Sequence, residues 1–121
     1  MEIWVNPTCS KCAATVELLD DTGVPYTTRR YLDDPPTAAE LAAVLDRLDL
    51  QPWDIARTNE KVATELSIAD WPRDAQNRER WIDALTAHPI LIQRPIITAD
   101  DGRAVVGRSE ESVRSILPGH V

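Results

Sequence analysis

Apolar residues change their spacing along this chain, and each change marks an element. "EIWV" (2–5) reads as a short apolar strand. From about Cys9 to Asp21 the spacing becomes helical, with Ala13, Ala14, Val16, Leu18 and Leu19 forming a mostly apolar face that stops before Gly23, a fitting C-terminal cap. "PYTTRRYL" (25–32) is rich in Tyr and Thr and reads as a second strand. A strand, a helix and a strand in so few residues predict a right-handed βαβ unit with parallel pairing.

"DDPPT" (33–37) breaks the chain, and Thr37 with Glu40 three residues later is a capping box that starts the helix "AAELAAVLDRLD". The next stretch stays helical and polar-rich. "PWDIAR" (52–57) and "NEKVATELSI" (59–68) read as short turns of helix, and "DAQNRERWIDALTAH" (74–88) as a longer amphipathic helix carrying Trp81, Ile82 and Leu85. "PILIQRPIIT" (89–98) is β-branched and reads as a buried strand, "DDG" (100–102) as a hairpin turn, and "AVVG" (104–107) as the returning strand. "SEESVRSIL" (109–117), with a Ser cap and Glu in its first turn, closes the series as a helix.

The order β-α-β, helical insert, β-β-α is that of an α/β thioredoxin-like fold with a four-stranded mixed sheet, enlarged by helices at about 37–88. With 121 residues, no repeats and no long linker, residues 1–121 are expected to form a single domain. Hydrophobic residues make up 43% and charged residues 27%, a globular profile. No apolar run reaches the roughly 18 residues of a membrane span, and no basic-then-apolar start suggests a secretory signal, so a cytoplasmic location without membrane contact is expected. The net charge of −7 argues against a broad grip on nucleic acid. Any bound anion must therefore be held by a local cluster of cations.

The only two cysteines share "NPTCSKC" (6–12), directly behind the first strand. Cys9 falls at the strand-to-helix junction, where unpaired N–H groups and the helix dipole favour an anion, so its thiol should ionise easily and act as a nucleophile. Cys12 lies one turn further on the same face, within possible disulfide reach and expected to be buried. A buried Cys12 is also compatible with a plain core role. Zinc fits poorly, since His88 and His120 are the only histidines and show no ligand spacing; no metal is expected. Arg94, between Gln93 and Pro95 in an apolar run, is an expensive place for a charge unless something satisfies it. Arg57 alone reads first as an ordinary salt-bridge partner in an acidic protein. The four tryptophans, Trp4, Trp53, Trp71 and Trp81, read as packing residues.

Taken in order, "NPTCSKC", "WDIARTNE", "HPILIQRPII" and "GRSEE" resemble the arsenate reductase (ArsC) family of thioredoxin-like proteins, whose relatives include Spx-type regulators. The resemblance implies that Cys9 is the nucleophile, that Arg57, Arg94 and Arg108 hold arsenate or a similar oxyanion, and that Pro95 follows a cis bond. It implies no tightly bound cofactor but an external thiol donor, such as glutathione with glutaredoxin. Cys12 departs from the single-cysteine reductases and opens a second route, in which Cys12 attacks the Cys9 adduct and a thioredoxin-type or mycothiol-type partner reduces the resulting disulfide. Val5 replaces a His of studied reductases, leaving Lys11 and the helix start to ionise the thiol, and Glu110 and Glu111 sit close to Arg108. Two other functions carry the same pair: an Spx-like regulator whose Cys9–Cys12 switch controls binding to RNA polymerase, and a general disulfide oxidoreductase. The three arginines favour the enzyme.

Overall fold

The structure, a computed structural model, describes residues 1–107 and 109–117. In chain order its elements are β1 (Glu2–Val5), α1 (Ser10–Thr22), β2 (Thr27–Arg30), α2 (Ala38–Leu48), α3 (Lys61–Leu66), α4 (Arg78–Ala87), β3 (Ile96–Thr98), β4 (Ala104–Val106) and α5 (Glu110–Ser115). Three single turns of 3-10 helix cover Pro52–Asp54, Ile68–Asp70 and Pro89–Leu91. By contacts the chain divides into two compact units, residues 1–34 with the chain from 94 onward, and residues 35–93.

The first unit holds a four-stranded mixed sheet in the order β2-β1-β3-β4. β1 pairs with β2 in parallel, Ile3 opposite Thr28 and Val5 opposite Arg30, as the βαβ reading requires. β1 also pairs antiparallel with β3, Ile3 opposite Ile97, which places the two most buried strands at the centre. Their side chains Ile3, Val5 and Ile97 pack with Leu19 of α1 and with Val113 and Ile116 at the C-terminal helix in one buried cluster. Each such burial removes apolar surface from water and stabilises the unit by about 1.5–3 kcal/mol before entropy is counted. The edge strand β2 is largely exposed at Thr27, Thr28 and Arg30, while Arg29 lies over the Trp4 ring at 5.6 Å.

Local signals set the ends. Gly23 caps α1 at φ 74°, a left-handed conformation that costs a residue without Cβ nothing. Gly102 at φ 94° closes the β3–β4 turn, with the Ala99 N–H donating to the Arg103 carbonyl at 2.8 Å.

The second unit is helical. Thr37 and Glu40 form the capping box of α2: the Glu40 N–H donates to Thr37 Oγ1 at 3.1 Å and the Thr37 N–H donates to Glu40 Oε1 at 3.0 Å. Trp81, fully buried on α4, meets Trp53 and Trp71 edge-on with ring centroids 6.1 and 5.6 Å away, as packing residues do.

One expectation is corrected. The strand predicted over 89–98 is confined to Ile96–Thr98. Pro89 starts a 3-10 turn in which Leu91 and Ile92 donate to His88 and Pro89 carbonyls at 2.9 and 3.0 Å, and the Gln93 N–H goes to Ile55 at 2.8 Å. Leu91 and Ile92 are completely buried, so their apolar character reflects packing in the helical unit and not sheet pairing.

Candidate active site

The end of β1 turns into α1 through Asn6, which is only 2% exposed. Its side-chain oxygen accepts from the Thr8 N–H at 3.0 Å and from the Thr8 hydroxyl at 2.8 Å, and its carbonyl accepts from the Cys9 N–H at 2.9 Å. Its own N–H donates to Cys12 Sγ at 3.4 Å. Asn6 thus folds the loop back on itself, fixes Cys9 at its tip and anchors Cys12 beneath it.

Cys9 is the N-cap of α1, with extended dihedrals of −90° and 122°. Its sulfur closes no capping hydrogen bond of standard geometry, and the first turn carries no acidic side chain. The Lys11 and Cys12 N–H groups of this turn are donors that act on the sulfur and favour its thiolate.

Both cysteines are free thiols, Cys9 half-buried and Cys12 buried. Partial burial pushes the Cys9 thiol up, but the Cys12 N–H, the Arg94 guanidinium, the Cys12 thiol and the Lys11 N–H outweigh it, and the pKa falls from 9.0 to about 7. Lys11 acts through its backbone. Cys12 moves the other way, from 9.0 to about 11: burial disfavours its thiolate, and the hydrogen bond and charge of Cys9 add to that against the opposing Asn6 N–H and Arg94 charge. Near pH 7 about half of Cys9 is therefore thiolate, beside a Cys12 that stays a protonated thiol.

Arg94 comes from the chain just before β3. Burial alone would lower its pKa, but hydrogen bonding and charge interaction with Cys9 and Tyr31 raise it, so the guanidinium stays charged. Its Nε and Nη1 atoms are buried and have no hydrogen-bond partner among the described residues. Two buried donors without an acceptor are costly in a finished structure and fit a site built for an incoming anion.

The Arg94–Pro95 peptide bond is cis, and Pro95 is held against Gly107, whose N–H donates to the Pro95 carbonyl at 2.8 Å. A Cβ at Gly107 would lie 2.9 Å from Pro95 Cγ and 3.3 Å from Val113 Cγ2, so glycine is required for this close approach.

The structure thus brings Cys9, Cys12 and Arg94 together in the first unit. Arg57 belongs to the helical unit, where its N–H donates to the Leu91 carbonyl at 2.7 Å and its guanidinium pairs with Glu60 at 3.3 Å. Arg108 lies outside the described residues. Glu110, one concern of the sequence, pairs with Arg114 at 2.7 Å, so its charge is compensated.

Two residues escaped the sequence reading. Asn6 was visible as a turn former within "NPTCSKC", but its double hold on Cys9 and Cys12 was not. Tyr31, completely buried, hydrogen-bonds to Arg94. Its position follows from register: Val5 pairs with Arg30, so the next residue reaches the level of the cysteine loop.

Comparison with known proteins agrees with this geometry. The model of the ArsC family matches residues 4–116. The chain is 62% identical to an uncharacterized protein in the glnII region of Streptomyces viridochromogenes, over 97% of this chain and 98% of that one. It is 32% identical to an arsenate reductase of Neisseria meningitidis, over 97% of each chain. Among solved structures, an arsenate reductase from Vibrio cholerae superposes with a TM-score of 0.86 at 32% identity, covering 97% of this chain and 98% of that one. Among the described residues no helix is long and apolar enough to cross a membrane.

Proposed function

The chain belongs to the ArsC family, and from that premise we propose that it is a thiol-dependent reductase that converts arsenate to arsenite through a covalent adduct on Cys9. The observation that carries this reading is Arg94: a charged guanidinium beside the Cys9 sulfur, with two buried nitrogens that have no hydrogen-bond partner among the described residues. A tetrahedral oxyanion supplies the acceptors they lack and sits within reach of the nucleophile.

The Cys9 thiolate attacks arsenic, one oxygen leaves as water after protonation, and Arg94 neutralises the charge that builds on the remaining oxygens. Arg57 and Arg108 are assigned to the same anion by the family pattern. A second thiol then attacks the Cys9 sulfur. The S–As electron pair stays on arsenic, arsenic falls from the pentavalent to the trivalent state, and the two sulfurs are oxidised to a disulfide. In sum, arsenate and two thiols give arsenite, a disulfide and water.

We assign the second thiol to Cys12. Burial is the main force that keeps Cys12 protonated, and while Cys9 is a thiolate its hydrogen bond and negative charge add to it. Once Cys9 is esterified to arsenic that added part is gone, and Cys12 ionises more easily at the step that needs it. An external reductant of the glutaredoxin or thioredoxin type, or a small thiol, then reopens the disulfide.

Arsenate-dependent thiol oxidation, measured with glutathione, mycothiol and thioredoxin systems, tests the proposal. Activity with at least one donor, lost in Cys9→Ser and in Arg94→Ala, is the expected result; no wild-type activity with any donor would sink the reductase. Mass spectrometry with reductant withheld tests the role of Cys12: a Cys9–Cys12 disulfide is expected, and an adduct to external thiol without it refutes the internal route. A dithiol switch of the Spx type draws on the Cys9–Cys12 contact alone and leaves the two buried nitrogens of Arg94 without a purpose.

A further inference from the structure

Cys9, the N-cap of α1, and Cys12, in its first turn, are free thiols one turn apart at the same helix start. Two thiols one helical turn apart can act as a chelate for a soft, sulfur-seeking centre. Coordination number decides which centre fits. Among the described residues no three side chains of Cys, His, Asp or Glu cluster, so a four-coordinate zinc ion would find only half its protein ligands. Trivalent arsenic needs three ligands, and an organoarsenical brings one of them as carbon.

Beside Cys12 the structure supplies room for that carbon group. An open cavity of about 360 Å³ is bordered by Cys12 itself, with Val5, Pro7, Ala13 and Val16 as its apolar walls. Glu17 and Asp20 are its acidic lining residues, so it suits an uncharged hydrocarbon and repels an anion.

We propose that the Cys9–Cys12 pair is a chelating site for trivalent arsenic, and that its ligand class is the monosubstituted organoarsenicals, whose hydrocarbon group lies in the cavity beside Cys12. For R–As(OH)₂ two As–S bonds form and two As–O bonds break. Both thiol protons leave with the oxygens as two water molecules, arsenic stays trivalent and nothing is oxidised or reduced. The site does not require arsenate to be a substrate.

Phenylarsine oxide and arsenite are the probes, titrated into the reduced full-length chain, with intact mass, free-thiol count and circular dichroism as readouts. One phenylarsenic per chain with loss of both thiols is expected, stable to 2-mercaptoethanol and released by dithiothreitol. Closing the second bond within the molecule adds a large effective concentration, so Cys9→Ser and Cys12→Ser should each weaken binding about a hundredfold or more. Ser is a preferred N-cap, so Cys9→Ser is expected to fold and to isolate the sulfur's role. Ala13→Phe, at an exposed position on the cavity wall, should weaken phenylarsine oxide about tenfold and leave arsenite unchanged. Binding in Cys12→Ser equal to wild type, or two phenylarsenic groups per chain, would overturn the chelate; Ala13→Phe affecting both probes alike, or neither, would overturn the cavity assignment. Arsenate turnover on the same samples separates the two proposals: chelation without turnover refutes only the reductase, and turnover without chelation refutes only this site.

Discussion

Two helices of this protein begin in opposite ways. α2 satisfies its own start: Thr37 and Glu40 exchange side-chain and backbone hydrogen bonds at 3.1 and 3.0 Å, and the acidic Glu40 complements the helix dipole. α1 begins at Cys9 with no capping hydrogen bond and no acid in its first turn. Its Lys11 and Cys12 N–H groups and Arg94 act on a sulfur whose pKa falls to about 7. A helix start that satisfies itself serves stability, and one left open at a nucleophile serves chemistry.

The largest effect expected from breaking this contrast is at Cys9. Cys9→Ser turns the open start into a conventional one: arsenate-dependent turnover should fall to background, while stability, read from urea unfolding, holds or rises by up to about 1 kcal/mol, since Ser caps helices well. Simultaneous loss of activity and of fold would refute the separation of roles. Arg94→Ala comes next. Removing one preorganised charge from an oxyanion typically costs about 10²–10³ in rate, so kcat/KM should drop by that order. Tyr31→Phe should cost less, about fivefold, because it removes one hydrogen bond worth roughly 1 kcal/mol. Combined with Arg94→Ala it should add almost nothing, the non-additivity expected of a residue that acts through Arg94. Thr37→Ala should have no effect on turnover and should lower stability by about 1 kcal/mol, read from the urea midpoint.

Features governed by near neighbours were legible in the sequence. The capping box at Thr37 and Glu40, the Gly23 cap and the Ser109 cap, whose hydroxyl accepts from the Ser112 N–H at 3.1 Å, all appear where the pattern places them. So does the placement of Cys9 at the head of α1. What failed depends on distant partners. Ile90, Leu91 and Ile92 look like strand residues because apolar β-branched runs serve both strands and tightly packed turns, and only the Gln93 bond to Ile55 and the Ala56–Ile92 bridge separate the two. Tyr31 could be placed beside Arg94 only once the β1–β2 register was known. Lys11 and the helix start were anticipated as the groups that ionise Cys9, and the two coincide, since Lys11 acts through its backbone N–H in the first turn.

The central claim is that the start of α1, with Arg94, holds Cys9 as a thiolate while Cys12 stays protonated. Iodoacetamide labelling across pH, with each cysteine followed by peptide mass spectrometry in wild type and Arg94→Ala, measures it directly. Thiolate is the reactive form, so a lowered pKa places the rise in labelling at lower pH. Cys9 should reach half its maximal rate near pH 7 and Cys12 only near pH 11, against an ordinary value of 9.0, and Arg94→Ala should move Cys9 upward. A Cys9 midpoint at 9.0, or one that Arg94→Ala leaves in place, would contradict the account.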